Sequence, residues 1–308
     1  MRTTAGRRWL KTVGVVTVCA AAFAVSVAGQ QRAGAAAAGQ AAGGQRGTPP
    51  PAAAPRTPRG LAPIDLTGYW VSVVTEDWRW RMLTPPKGDV ASVPLNAEGR
   101  RVANAWDLAA DEASGNACKA FGVGGIMRQP GRLHITWQDE NTLKVDTDAG
   151  TQTRLLHFDR AATPPTERTW QGFSRASWEM PPGRAARPSG TSSPFSPTVP
   201  GGGGAGLRGG PPPSGSLNEG GSLKVETTAF REGYLRKNGV PYSERASITE
   251  YFNRLPPHPN GDVWLLVVTT IDDPMYLSQP FYTSTHFKRE PDGPKWNPTP
   301  CRTDPPAK

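Results

Sequence analysis

Over residues 64–180 and 221–290 the chain is mostly a succession of strand-length segments with alternating apolar side chains, bounded by turn residues. Alternation of this kind sends every second side chain to one face, so each segment buries one side and wets the other. Arg132 to Gln138 sets Leu133, Ile135 and Trp137 against His134, Thr136 and Gln138. Thr142 to Thr147, Thr151 to Phe158, Thr169 to Trp178, Leu223 to Phe230 and Phe281 to Lys288 continue the series. Tyr234 to Lys237 and Val240 to Ser243 flank Asn238-Gly239, a strong two-residue hairpin signal. Ala246 to Arg254 and Val263 to Ile271 are joined through a Pro-Asn-Gly-Asp turn. Only Asn96 to Trp106 reads as a helix. The expected fold is all-β: an antiparallel up-and-down barrel of about eight to ten strands, with a sandwich as the other way to bury so many half-apolar faces.

The first segment, Ile64 to Met82 (IDLTGYWVSVVTEDWRWRM), reads as one long strand. One parity carries Trp70, Ser72, Val74, Glu76, Trp78, Trp80 and Met82; the other carries Tyr69, Val71, Val73, Thr75, Asp77, Arg79 and Arg81. A carboxylate therefore sits on the aromatic-rich face, and Arg79 and Arg81 are expected on a solvated outer face.

The ends of the chain are different in kind. Residues 1–28 have the plan of a signal peptide. Arg2, Arg7, Arg8 and Lys11 precede the uncharged run Val13 to Val27, and Ser26-Val27-Ala28 places the cut before Gly29. The apolar run is shorter than the ~20 residues that span a bilayer, so the expected product is exported, periplasmic or secreted, without a stable membrane span. The alternative is a protein anchored by an uncleaved N-terminal segment. Residues 29–63 are almost entirely Ala, Gly, Pro, Gln and Arg, with almost no large apolar residue, and read as a disordered linker. A second segment, 181–221, contains 21 Gly or Pro in 41 residues and reads as a disordered insertion in one barrel domain spanning 64–290. Residues 291–308 form a Pro-rich tail expected to lie over the surface.

The net charge of +9 misleads about partners. Residues 1–63 hold eight Lys or Arg and no acid, which leaves 27 basic and 26 acidic residues in the rest. A near-neutral body has no nucleic-acid footprint. Two cysteines, Cys118 and Cys301, lie beyond the expected cut. Export permits a disulfide between them, and two free thiols are the other reading.

Chemistry-bearing patterns are few. Glu76 lies between Val74 and Trp78, and Glu250 between Ile248 and Phe252, so both acids fall on apolar parities. Two acids in one cavity would have raised pKa values and are candidates for proton transfer. The competing reading pairs one of them with an inward arginine such as Arg154. His134, His157, His258 and His286 show no metal-ligand spacing; His157 is the one whose parity allows an inward position. There is no Gly-x-Ser-x-Gly elbow, and Gly201 to Gly204 lie in low-complexity sequence. No cofactor is therefore called for. Asp272-Asp273-Pro274 fits a turn better than a cation site. Arg236, Lys237 and Asn238 stand at a hairpin tip, where they suit either a barrel mouth or an ordinary polar turn.

The segments LTGYW, SVPLNAEGRRVANAWD, RTWQGFS, LKVETT, LRKNGVPYSE, TEYF and DDPMYL resemble a family of exported bacterial proteins that carries no assigned activity. More distantly, Gly68-Tyr69-Trp70 is similar to the Gly-x-Trp start of lipocalin-like barrels. That likeness implies a calycin-like barrel; the second lipocalin motif, an arginine packed over the tryptophan near the last strand, has no clear match here, and Lys288 and Arg289 are the candidate substitutes. Trp70, Trp78, Trp80, Glu76, Glu250 and His157 are then the expected lining of an interior pocket for a small apolar or amphipathic molecule. A pocket enzyme using the paired carboxylates and an envelope-associated interaction protein are the alternatives.

Overall fold

The computed structural model describes residues 56–180 and 220–306. The expected signal peptide, the linker up to residue 55 and the insertion from 181 to 219 lie outside the described residues. In chain order the elements are β1 (Gly68–Val73), α1 (Trp78–Met82), α2 (Ala97–Ala105), α3 (Leu108–Ala113), β2 (Arg132–Trp137), β3 (Thr142–Thr147) and β4 (Gln152–His157). They continue with β5 (Phe173–Glu179), β6 (Ser222–Thr228), β7 (Gly233–Arg236), β8 (Val240–Tyr242), β9 (Ser247–Arg254), β10 (Trp264–Asp272) and β11 (Phe281–Glu290).

Nine strands close into a barrel in the order β1-β2-β3-β4-β5-β6-β9-β10-β11, and β11 returns to β1. An odd number of strands cannot alternate direction all the way round, so at least one neighbouring pair must be parallel. That pair is β4 and β5, with Leu156 beside Ser174 and His157 beside Arg175. Residues 158–172 make the crossover that turns β5 the same way as β4. The up-and-down order expected from sequence holds elsewhere around the wall, where every other pair is antiparallel.

β7 and β8 form the expected hairpin, but outside the barrel as a separate two-stranded sheet. Gly239 supplies its positive φ of 79° and lies so close to Trp106 that a Cβ there would overlap the indole ring. The hairpin, α2 and the ends of β9, β10 and β11 share a second core containing Leu235, Tyr242, Ala103, Ile248, Ile271 and Phe281. The turns at Ala117–Phe121 and Ile126–Arg128 are 3₁₀, and Phe121, Ile126 and Met127 pack into the same cluster as the lumen residues Trp70 and Ile135. These pieces cover the barrel end at which β1 stops and β2 starts. The helix expected from Asn96 is α2, capped where the Asn96 side chain accepts the Gly99 N–H at 2.9 Å.

Three sequence expectations change. β1 stops at Val73 rather than continuing to Met82: Asp77 takes a left-handed backbone (φ 52°) and Trp78–Met82 is helical. The end of the linker is seated on the barrel: Thr57 and Arg59 bond Glu140, and the Trp178 indole donates to the Pro58 carbonyl at 2.9 Å. α1 and α3 join α2, so the barrel carries more helix than the single one expected.

The Pro-rich tail lies along the barrel. Cys301 is disulfide-bonded to Cys118 in the first 3₁₀ turn, with Cα atoms 5.0 Å apart. Thr299 N–H donates to the Asp148 carbonyl at 2.8 Å, and Trp296 meets Tyr69 edge-on at 5.9 Å.

Candidate functional site

The lumen holds a buried ion pair. Glu250 points inward from β9 between Ile248 and Phe252, and Arg154 points inward from β4. Two strands, β5 and β6, stand between them in the wall, so the pair reaches across the lumen. Arg154 Nη1 donates to Glu250 Oε1 at 3.1 Å, and Nη2 donates to Oε2. Nη2 also reaches Thr227 Oγ1 at 3.4 Å, and Ser174 Oγ is 2.8 Å from that same oxygen. Neither charged side chain has any exposed surface. Of the two readings of Glu250, the paired one describes this geometry: its oxygens are committed to a guanidinium.

Trp70 shares the lumen, is fully buried, and donates its indole N–H to the Leu66 carbonyl at 2.9 Å. Arg289 of β11 stands directly across from Trp70 in register and lies 5.8 Å from the ring centre.

Glu76 is elsewhere. It sits at the rim, where Oε1 accepts from Arg81 Nη1 at 2.8 Å and Oε2 accepts from Thr75 Oγ1 at 2.6 Å. His286 Nδ1 lies 3.1 Å from Oε2. His286 belongs to the outer face of β11, since its neighbours Thr285 and Phe287 are the buried ones. Burial pushes the Glu76 carboxyl up, but hydrogen bonds from Thr75 and His286 and the Arg81 charge outweigh it, and the net shift is downward. The expected Glu76–Glu250 pair is therefore not formed: each acid has its own cationic partner. His157 also leaves the expected lining. It alternates with the buried Arg154 and Leu156, faces outward and stacks on Phe173 at 5.1 Å. Trp78 is 62% exposed on α1.

Trp80 enters a different constellation, at the covered end of the barrel. The left-handed turn at Asp77 swings α1 back over β1, so that Arg81 Nη2 reaches Ser72 Oγ at 3.1 Å and Nε reaches the Arg128 carbonyl at 3.1 Å. Arg128 Nη2 donates to Asp77 at 2.6 Å. The Arg236 guanidinium lies 4.5 Å from the centre of the Trp80 ring. Arg81, Arg128 and Arg236 are 2%, 6% and 3% exposed, so three guanidinium groups are buried together. Burial first, and then the Arg128 charge, lower the pKa values of Arg81 and Arg236 to about 10. Asp89, which accepts from Arg79 at 2.7 Å and from the Trp80 indole at 3.2 Å, closes one side.

A groove of about 560 Å³ opens beside this cluster. Met82, Phe121, Pro130, Ala149 and Pro300 give it apolar walls; Gln129, Lys237, Thr299, Arg302 and Asp304 give it polar ones. Gln129 and Lys237 also border a small hole of about 10 Å³ walled by Trp80, Arg81, Arg128 and Arg236. The tail forms one wall of the groove, held there by the disulfide and by Thr299.

Trp80 was expected in the lining of an interior pocket and stands instead in this cluster. Arg81 was expected on a solvated face, and Arg236 and Lys237 suited either a barrel mouth or a polar turn; the signal that Arg128 belongs with them is tertiary. Asp273 proves to be a turn residue, accepting Ser243 N–H and Oγ–H at 2.7 Å each. Among the described residues there is no group of three His, Cys, Asp or Glu able to hold a metal ion. No helix among them is long and apolar enough to cross a membrane. The fold and site thus define a closed nine-stranded β-barrel with a lateral groove at one covered end. The chain matches no protein-family model, no curated protein and no solved structure.

Proposed function

We propose that this is an exported binding protein that holds a small amphipathic molecule in the groove at the covered barrel end, rather than inside the lumen. The groove itself carries the reading. Its volume of about 560 Å³ falls within the several-hundred-Å³ range usual for small-molecule sites, and its lining combines apolar side chains with Lys237, the Arg302–Asp304 pair and two neutral polar groups. The lumen is a poorer host, because Trp70, Phe252, Phe287 and the Arg154–Glu250 pair occupy it with no exposed surface to speak of. A disulfide that sets one groove wall suits an oxidising compartment and supports export to the periplasm or outside the cell. Arg289 over Trp70 supports the kinship with lipocalin-like exported proteins.

A neutral apolar dye such as Nile red tests the reading. The full chain is expected to bind it saturably with a fluorescence rise, and Met82→Glu is expected to weaken binding about tenfold, because a charge would then sit in the apolar wall. Met82 is 52% exposed, so this change spares the core. Dye binding that is unaffected by Met82→Glu would sink the groove assignment.

A second reading has its own observation. Trp78, Met82 and Leu83 are 62%, 52% and 52% exposed on and just beyond α1, an apolar surface of the kind used to meet another protein in the cell envelope. Saturable Nile red binding by the unaltered isolated chain separates the two readings, since a protein-binding role predicts no dye site in the isolated chain.

A further inference from the structure

Arg236 is the least compensated group among the described residues. It is 3% exposed, and its Nε, Nη1 and Nη2 find no acceptor among the described residues. Its one partner is the face of Trp80, 4.5 Å away. Arg128 Nη1 is likewise buried without an acceptor, while its Nη2 is held by Asp77. The nearby acids act on Arg236 and Lys237 only through space and are hydrogen-bonded elsewhere. Asp77 is held by Arg128, Glu76 by Arg81, Thr75 and His286, and Asp89 by Arg79, Trp80 and Ala91, while Asp304, in the groove wall beside Lys237, pairs with Arg302. A guanidinium buried without a counter-charge is costly, and chains keep one where something else completes it.

The hole beside these donors measures about 10 Å³, room for roughly one oxygen atom. A water there accepts two hydrogen bonds and brings no charge. An anionic oxygen brings the charge and accepts more strongly, and guanidinium forks match oxyanions in geometry. The hole adjoins the groove: Gln129 and Lys237 border both. Burial lowers the Lys237 ammonium, a shift that an arriving anion reverses.

We propose that Arg236 and Arg128 receive an oxyanion, the carboxylate or phosphate head of the molecule whose apolar part lies in the groove. The proposal rests on the groove reading above and adds the chemical class of the ligand's head. One oxygen enters the hole between Arg236 and Arg128; the remaining oxygens face Gln129 and Lys237; the tail lies against Phe121, Pro130 and Met82. Trp80 holds the Arg236 guanidinium over its ring face.

The test uses the full chain with phosphate, chloride, octyl phosphate and octanol, followed by thermal shift and by Nile red displacement. Octyl phosphate is expected to raise the melting temperature and displace the dye at concentrations at least about tenfold below those of octanol or phosphate, since charge and tail bind together. Arg236→Met is expected to erase that tenfold advantage while leaving Nile red binding intact. It should also leave the ligand-free melting temperature equal or higher, because it removes a buried uncompensated charge. A purely structural Arg236 would instead lower it. Line broadening of the octyl phosphate ³¹P signal by the unaltered chain gives a readout that needs no variant. Octyl phosphate no better than octanol, or chloride as effective as phosphate, would overturn the proposal. Nile red that fails to bind while phosphate still protects would refute the groove and leave only a free-anion site, so the two failures are told apart.

Discussion

Arg154 and Glu250 meet across the lumen of the barrel, guanidinium to carboxylate through two parallel hydrogen bonds, with neither side chain exposed. The pair joins β4 to β9 over the two strands between them, so it ties together parts of the wall that have no backbone contact. Breaking one side leaves a buried ion alone. Glu250→Gln is expected to destabilise the fold by about 3–5 kcal/mol, whereas replacing both residues, Arg154→Met with Glu250→Leu, should cost much less or stabilise. Denaturant unfolding of the two single variants and the double one measures this. Equal costs for one and both replacements would mean that the pair acts only by filling space.

Acid should loosen the rim. The Glu76 carboxyl is held below its ordinary value despite its burial, by Thr75, His286 and Arg81. A carboxyl depressed in the folded state contributes stability above its unfolded pKa, and that contribution disappears as pH falls through the lower folded value. The window therefore lies below the ordinary glutamate value of 4.5. Asp89, depressed by the Trp80, Ala91 and Arg79 contacts against its burial, adds to the same slope. Melting temperatures of the parent and Glu76→Gln, followed from neutral pH down to about 3, check this: the curves should converge as the carboxyl protonates. Parallel curves would show that Glu76 carries none of the acid dependence.

The contrast between strand and site shows where sequence is informative. Each wall strand bears its own alternation, and the buried positions fall where that alternation puts them, as in Leu133 and Ile135 of β2 or Leu265 and Val267 of β10. Period two is a local property of a half-buried strand, so it survives reading one segment at a time. The run Trp78 to Met82 shows the limit. It alternates as well as any strand, yet it is a five-residue helix. A segment that short has too little helical period to read, and its state is set by Asp77 turning left-handed and by Arg81 anchoring to Ser72, Glu76 and the Arg128 carbonyl. The parallel step from β4 to β5 is equally silent in each strand, because direction depends on the crossover and on closure with nine strands. Arg236 and Arg128 are far apart in the chain and alike in no motif, so their convergence exists only in three dimensions.

Reducing the disulfide should act on stability and on the groove together. Cys118 and Cys301 are 183 residues apart, and in the chain-entropy description closing so long a loop is worth about 5 kcal/mol. The bond also fixes the tail segment from Thr299 to Asp304 that walls the groove. Cys118→Ala with Cys301→Ala is expected to lower the denaturant midpoint and to weaken Nile red binding, the second effect persisting under conditions where the barrel is still fully folded. Unchanged dye affinity in the folded variant would separate the tail from the site.

The hairpin that carries Arg236 depends on one glycine. Gly239 has φ 79°, a conformation an L side chain adopts only with strain, and the space where its Cβ would point is filled by the Trp106 ring. Trp106 itself is 7% exposed and caps the end of α2. Asn238 beside it is fully buried and donates through Nδ2 to the carbonyls of Pro86 and Asp89 at 2.9 Å each, which fixes the turn to the loop under Trp80. Gly239→Ala therefore has two costs, backbone strain and displacement of an indole, and on the order of 2–4 kcal/mol of destabilisation is expected. Moving the turn also moves Arg236 off the face of Trp80, so the octyl phosphate advantage should fall more steeply than Nile red binding. If Gly239→Ala lowers stability but leaves that advantage whole, the hairpin does not position the arginine.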